Sequence, residues 1–238
     1  MKAKTLILFL CVLNVSIFSQ NPYYGELNLV KTYYYFDTIT LDSTLRNYDI
    51  SKATRFMASG VVYSDSVRYP QPWLITGEGN LKYNGVSLNF SPLLLCYHDT
   101  IERKENTSQY WEYEHEDESK SFTVSTGNDM PSLNLKHILP ESVSIGNGFT
   151  IEYGTISNAD SVQVLIIDYN AENPFPISKT VGASNPSLTF ASEEIEQVLN
   201  KSTNVIVSFI KEDETTVNEK IYKISKRYNI IRPVAFVE

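Results

Sequence analysis

The chain has 238 residues, of which 42% are hydrophobic, and its 28 acidic and 20 basic side chains give a formal net charge of −8. This acidity argues against nucleic acid or an anionic membrane surface as a partner, because both require clustered lysine and arginine. Two cysteines are too few for the disulfide framework of a small stapled domain.

Residues 1–19 predict a signal peptide. Lys2 and Lys4 precede an apolar run over residues 5–15 that is too short to span a bilayer, and Ser19 places a small residue at the end. We expect cleavage after Ser19 and a soluble exported protein, periplasmic or extracellular, without a membrane span. Loss of the two lysines takes the formal net charge from −8 to −10.

Residues 20–130 predict an aromatic-rich antiparallel β domain. This part of the chain holds 12 of the 16 tyrosines and both tryptophans, and aromatic side chains suit a pleated surface. Asn84-Gly85 between alternating runs predicts a hairpin, because both turn residues tolerate positive φ. Gly60 is interpreted as a bulge. Strands are predicted over 27–36, 54–63, 92–101 and 121–125.

A linker is predicted over residues 131–140, and a second β domain over residues 141–238. In the stretch from Ser142 to Asp168, three alternating runs are separated by turns at 146–148 and 154–160, which predicts two hairpins. Further strands are predicted over 177–181, 187–190, 205–210, 217–225 and 230–237, with a helix over 193–199 capped by Ser192 and a turn at 212–215.

The number and spacing of these elements predict an all-β fold of two antiparallel β-sandwich domains, the second immunoglobulin-like with one short crossover helix. At Leu139–Ile145, Gly148–Ile151 and Asn158–Val162, the second domain also resembles uncharacterised immunoglobulin-like domains of exported bacterial proteins. The resemblance implies a fold and export, and it supplies no catalytic residue.

No catalytic or metal motif is present in the sequence, and we expect no catalytic residue, metal or cofactor. His98, His115 and His137 share no metal-ligand spacing. Cys96, the only cysteine left after cleavage, is expected to be a buried, inert thiol. The acidic run from Glu112 to Glu118 predicts a solvated face on an edge strand, with a calcium site as the alternative.

The leading functional hypothesis is a non-enzymatic binding, adhesion or envelope-associated protein, whose partner is a glycan or another envelope protein. Aromatic side chains stack on sugars and bury well in interfaces, which assigns binding to Trp73, Tyr110, Trp111 and Tyr113. Trp73 is expected in the core and Trp111 partly exposed. The competing hypothesis is a β-sandwich hydrolase acting on polysaccharide, with two acids from Glu112–Glu118 or Glu78. A structural subunit of an envelope complex is the third.

Two runs in the second domain predict an apolar outer face. Alternation directs Val162, Val164 and Ile166, together with Val205, Val207 and Phe209, into the core. The residues left on the opposite face are Leu165, Ile167, Ile206 and Ile210. Such a patch is seldom left bare, so either the tail over residues 230–237 covers it or it contacts the first domain or a partner.

Overall fold

The computed structural model describes residues 23–34, 54–63, 77–101, 109–127, 129–133, 138–167, 176–198 and 202–238. The predicted signal peptide, Trp73 and His137 lie outside these residues. No helix in the described part of the chain is long and apolar enough to cross a membrane.

The fold is all-β and sandwich-like, with several antiparallel sheets packed together, so the predicted fold class is confirmed. The strands are β1 Gly25–Tyr34, β2 Thr54–Val62, β3 Asn80–Tyr83, β4 Val86–Ser87, β5 Asn89–Ser91, β6 Cys96–Ile101, β7 Gln109–Glu114, β8 Phe122–Thr126, β9 Ser132–Leu133, β10 Ser142–Ser144, β11 Phe149–Glu152, β12 Ile156–Ser157, β13 Ser161–Ile167, β14 Ile177–Gly182, β15 Ser187–Phe190, β16 Ser202–Val217 and β17 Lys220–Val237. The helix α1 spans Ser192–Ile195, and 3-10 turns lie at Glu118–Lys120, Ile145–Asn147 and Glu196–Val198.

The chain divides into two compact units. The first contains the described parts of residues 1–29, 56–129 and 212–225, and the second those of 30–55, 130–211 and 226–238. The sequence-based division into a domain of residues 20–130, a linker and a domain of residues 141–238 stays a prediction.

In the first unit, β1, β2, β6 and β5 are hydrogen-bonded in that order, and β4, β3, β7 and β8 form a separate sheet. The predicted hairpin is confirmed: β3 pairs with β4, and the turn residues Asn84 and Gly85 have φ of 49° and 78°. Along β7 the burial alternates, with Trp111 and Tyr113 buried and Glu114 exposed. The predicted edge position of this strand is wrong, because β7 lies between β3 and β8.

Gly60 marks a close approach rather than a bulge. Its register with Tyr97 continues the β2–β6 ladder. A Cβ atom at Gly60 would lie 2.5 Å from Cδ2 of Leu81 in β3, so the missing side chain lets the two sheets of the unit pack closely.

Cys96 in β6 is buried, as predicted, but the strand predicted over 92–101 begins only at Cys96, and Leu93 is 83% exposed.

In the second unit, β14, β13, β16 and β17 follow one another in one sheet, and β11 pairs with β15 in another. The six side chains predicted to face inward from β13 and β16 lie in one core cluster, which confirms the inferred alternation. The two strands are direct neighbours, with Val164 opposite Val207. The cluster also contains Phe149 and Ile151 from β11, so it joins the two sheets of the unit.

The two hairpins predicted between Ser142 and Asp168 are wrong, although all three runs form strands. β10 pairs in parallel with β17, β11 pairs with β15, and β13 pairs with β14 and β16. After β10 the chain makes a 3-10 turn and passes through Gly148 at φ 71°. This turn carries the chain into the other sheet instead of back along β10, which local turn residues alone do not reveal.

The turn predicted at 212–215 is also wrong. β16 continues to Val217, and the chain reverses at Asn218 and Glu219, which have φ of 50° and 64°. Glu212, Asp213, Glu214 and Thr215 are therefore strand residues whose polar side chains only suggested a loop.

The helix is shorter than predicted and is capped differently. Ala191, not Ser192, occupies the N-cap position, and its side chain makes no capping hydrogen bond. The carboxylate of Glu194 takes over part of this function, because it accepts a hydrogen bond of 2.7 Å from the backbone N–H of Ala191. Lys179 Nζ donates to both carboxylate oxygens at 3.0 and 2.8 Å and to Thr189 O at 2.8 Å.

We predict that Glu194→Gln destabilises the chain at neutral pH and that the difference disappears in acid. Lys179, and then the Ala191 N–H, lower the pKa of Glu194 below its ordinary value of 4.5. A lowered folded pKa gives stability that is present above the ordinary pKa and is lost as the pH falls through the folded one. Urea unfolding at neutral and acid pH measures this, with the exposed neighbour Glu193→Gln as control. Equal stability loss by both variants at every pH would contradict it.

Candidate functional site

The first unit contains a small cavity beside the end of β7. Its volume is about 30 Å³, which is room for one or two waters or one small chemical group. The residues that line it are Tyr24, Val62, Tyr63, Glu78, Tyr113, His115, Lys120, Lys220 and Tyr222.

Strand pairing brings together wall residues that are distant in the sequence. Tyr113 lies near the end of β7, and His115 follows that strand with its ring centroid 6.1 Å from that of Tyr113. At the start of β17, Ile221 O accepts a hydrogen bond of 2.8 Å from Tyr24 N–H. Tyr24 O in turn accepts one of 2.9 Å from Tyr63 N–H. The backbone therefore fixes three of the tyrosine-bearing segments relative to one another.

The tyrosine walls are packed and electrically neutral. The Tyr222 ring lies 4.3 Å from that of Phe122, which stacks on Tyr113 at 5.5 Å. Burial raises the pKa of Tyr222 to about 12. Burial and the nearby Glu26 also raise the pKa of Tyr63, whose hydroxyl donates to Glu26 at 3.1 Å. These phenols stay protonated at physiological pH and offer O–H groups rather than phenolates.

Gly79 makes room for the Tyr113 ring at the edge of this cavity. A Cβ atom at position 79 would lie 2.3 Å from Cζ of Tyr113. The carbonyl of Gly79 accepts a hydrogen bond of 2.8 Å from the Tyr97 hydroxyl. Any side chain at this position would therefore displace the wall of the cavity.

The loop that carries His115 and Lys120 is closed by its own hydrogen bonds. His115 N–H donates to Ser121 Oγ at 3.1 Å, and Asp117 N–H donates to His115 Nδ1 at 2.9 Å. Ser119 donates twice to Asp117 Oδ1, from its backbone N–H at 3.0 Å and from its hydroxyl at 2.7 Å. Lys220 Nζ donates to Ser119 O at 3.0 Å. The loop is thus held in shape before any ligand arrives.

The charged groups lie at the mouth of the cavity. His115 Nε2 is 3.5 Å from Glu78 Oε2, and the Glu78 side chain is 77% exposed against 9% for His115. Because Nδ1 of His115 accepts from Asp117, neutral His115 carries its proton on Nε2, directed at Glu78. Lys220 Nζ lies 5.5 Å from the Tyr24 ring centroid, a cation–π distance.

Two carboxylates of the acidic run, Glu114 and Asp117, have partners that favour their charged forms. Glu114 forms an ion pair with Lys82, which lowers the pKa of Glu114. The hydrogen bonds from Ser119 lower the pKa of Asp117. Both groups are therefore held ionised, whereas a general acid needs a raised pKa. Among the described residues, no three His, Cys, Asp or Glu side chains converge on a metal-sized site.

The three predicted binding residues in the described part of the chain do not share one surface. The expectation that Trp111 is partly exposed is wrong: it is 1% exposed, since β7 is an internal strand and Trp111 points inward against Tyr83. Tyr113 is also 1% exposed and contributes to the cavity wall. Tyr110 lies on the opposite face and is 37% exposed. Trp73 lies outside the described residues, and the binding role of the four stays a prediction.

The four predicted interface residues lie on neighbouring strands but are not exposed. Leu165 and Ile206 are direct cross-strand partners, and all four of Leu165, Ile167, Ile206 and Ile210 are buried. The tail does not fold over them, because it forms part of β17 beside β16 in the same sheet. Ile230, Val234 and Phe236 of the tail pack instead into the core cluster. The interface role of the four residues stays a prediction.

Sequence reasoning missed most of the cavity residues, namely Tyr24, Tyr63, His115, Lys120, Lys220 and Tyr222. They come from segments whose proximity depends on long-range strand pairing. The one local signal was His115, which follows Trp111 and Tyr113 on the inward face of β7. A polar ring at the end of an apolar face often marks a point where the core opens to solvent.

Comparison with known proteins yields no matching family model, no matching curated protein and no matching solved structure.

Proposed function

We propose that the chain is an exported, non-enzymatic binding protein that recognises its partner, a glycan or another envelope component, through the cavity of the first unit. One observation carries this proposal. Tyrosine rings and basic side chains line one small cavity, and part of its lining comes from a loop that its own hydrogen bonds hold in shape. Aromatic walls with a few converging polar groups are typical of recognition sites.

The protonation states of two phenols in the cavity wall and of two carboxyl groups outside it favour binding over catalysis. The phenols of Tyr63 and Tyr222 have raised pKa values and remain neutral. The carboxyl groups of Glu114 and Asp117 have lowered pKa values and remain ionised. Acid–base catalysis requires groups that exchange protons near the working pH, and these four are removed from that range.

The size of the cavity sets the mode of recognition. A cavity with space for one or two waters can hold a substituent of a ligand but not a whole sugar ring. The rest of the ligand would lie outside, near Tyr24, which is only half-buried, and the exposed Glu78. This mode suits a terminal group on a larger glycan or protein.

We infer an immunoglobulin-like arrangement for the second unit. Its strands β13, β16 and β17 lie together in one sheet, and β11 pairs with β15 in the other. In immunoglobulin sandwiches, the third, sixth and seventh strands lie in one sheet, and the second and fifth strands lie in the other. The partition in this unit is the same. The chain passes between the sheets through α1, which follows β15 and precedes β16. Such a unit serves as a carrier for the binding unit.

We predict glycan binding without turnover for the purified chain. A glycan array combined with a hydrolysis assay on the bound glycans measures both properties. Tyr24→Ala removes a cavity wall and is expected to lower binding, whereas Leu93→Ala shortens an exposed side chain of the same unit outside the cavity and should leave binding unchanged. Turnover of any bound glycan would favour the hydrolase alternative. Absence of both binding and turnover would contradict glycan binding and favour a structural role.

A further inference from the structure

We propose that the cavity binds a single oxyanion, the carboxylate or sulfate group of an acidic sugar. This inference rests on the proposed binding function and names the chemical class of the ligand.

The charge of the cavity lining is opposite to that of the chain. Two lysines, Lys120 and Lys220, line the cavity together with one carboxylate, Glu78, while the protein as a whole carries a formal charge of −8. A chain this acidic repels anions at long range. A local excess of cations in its cavity therefore favours one small anionic group at short range rather than a long polyanion.

One of the two ammonium groups, that of Lys220, is held in place by contacts that leave it hydrogen-bonding capacity. Lys220 Nζ is anchored by Ser119 O at 3.0 Å and by the Tyr24 ring. An ammonium group has three N–H donors, so this lysine retains donors for a ligand. Lys120 follows directly on the same closed loop, as the last residue of its 3-10 turn. Two cations on a preformed frame lower the entropic cost of binding an anion.

His115 adds a donor with a defined direction. Its Nδ1 is occupied by Asp117 N–H at 2.9 Å, so Nε2 is the donating atom. Nε2 lies 3.5 Å from Glu78 Oε2, a long contact to a largely exposed carboxylate. The Glu78 carboxylate thus occupies the position in which a ligand oxyanion would receive a hydrogen bond from Nε2. A ligand carboxylate that reaches Nε2 has to displace Glu78.

The volume of the cavity fits this class of ligand group. A carboxylate or sulfate group occupies about the space of one or two waters, which the cavity can hold with its volume of about 30 Å³. The buried rings of Tyr113 and Tyr222 exclude further water and strengthen the charge interactions inside.

The test uses the full chain and three matched sugars: a glucuronate-containing disaccharide, its carboxyl-reduced neutral counterpart and a sulfated counterpart. Titration calorimetry gives the affinities. We expect at least one acidic sugar to bind roughly tenfold more tightly than the neutral one, the gain typical of a charge-assisted hydrogen bond. The affinities of the glucuronate-containing sugar and the sulfated sugar, compared with each other, show which oxyanion binds more tightly.

Opposite effects of two substitutions separate ligand contact from a structural role. Lys120→Gln should weaken binding of the acidic sugar roughly tenfold, and Lys120→Arg should restore part of it. Glu78→Gln should strengthen binding, because the competing carboxylate is gone. Lys82→Gln, outside the cavity but in the same unit, removes the same charge as control and should leave the affinity unchanged. Unfolding temperatures confirm that each variant is folded.

The outcomes distinguish this inference from the proposed function beneath it. Equal binding of acidic and neutral sugars, or equal losses for Lys120→Gln and Lys82→Gln, would overturn the oxyanion assignment and leave sugar binding intact. A loss of affinity in Glu78→Gln would overturn the displacement of Glu78 and with it the proposed geometry. Absence of binding to all three sugars, together with silence on the glycan array, would overturn both.

Discussion

Replacing Trp111 by Ala is expected to destabilise the chain by roughly 3–5 kcal/mol, the range for truncating a buried aromatic side chain. Trp111 is 1% exposed, its ring lies 5.0 Å from that of Tyr83 in an edge-to-face contact, and its strand neighbours are Tyr83 and Val124. Removal of the indole leaves a cavity in the middle of a sheet that has strands on both sides. Urea unfolding of the purified variant measures the change.

Tyr110→Ala is the matched control for this substitution. Tyr110 is the preceding residue of β7 and points to the opposite face, where it is 37% exposed. The control should change the free energy of unfolding by no more than about 0.5 kcal/mol. Equal losses in both variants would show that Trp111 is not the buried core residue described above.

Gly148→Ala is expected to destabilise the second unit by about 2–3 kcal/mol, because backbone strain at a positive φ adds to a steric clash of the new Cβ atom. Gly148 has φ 71°, a conformation that residues with a Cβ atom rarely adopt. The added Cβ would lie 2.7 Å from the backbone O of Phe190, an atom that cannot move without disturbing β15. The crossing between sheets at this point therefore requires glycine.

Gly146, two residues earlier in the same turn, provides the control. A Cβ atom there would meet nothing within 4 Å. Gly146→Ala should be neutral or should stabilise by up to about 1 kcal/mol, because alanine reduces the freedom of the unfolded chain. Chemical unfolding of both variants by the same method gives the comparison. A neutral Gly148→Ala would contradict the described crossing.

Local patterns in the sequence predicted the strands well. Alternation placed β11 and β13 correctly and identified the inward set of Val162, Val164 and Ile166. The hairpin at Asn84-Gly85 also followed from two adjacent residues that accept positive φ. These features depend on neighbours along the chain, so a single sequence contains the information they need.

Strand pairing and the candidate site could not be predicted in the same way. Ser142–Ser144 pairs with the end of the chain rather than with Phe149–Glu152, which no local turn signal encodes. The cavity likewise combines Tyr24 with Tyr222, residues far apart in the chain. Trp111 was misjudged for the same reason: its acidic neighbours suggested an edge strand, but burial depended on β3 and β8 pairing on either side.

Amide hydrogen exchange of the full chain, with and without the strongest ligand found on the glycan array, tests most directly whether the cavity is the binding site. The loop from His115 to Ser121 borders the cavity and is closed by its own hydrogen bonds. A ligand held there should stabilise this loop, so exchange at Ser119, Lys120 and Ser121 is predicted to slow on binding. Unchanged exchange in this loop, with slowing confined to β13 and β16 of the second unit, would contradict the assignment of function to the cavity.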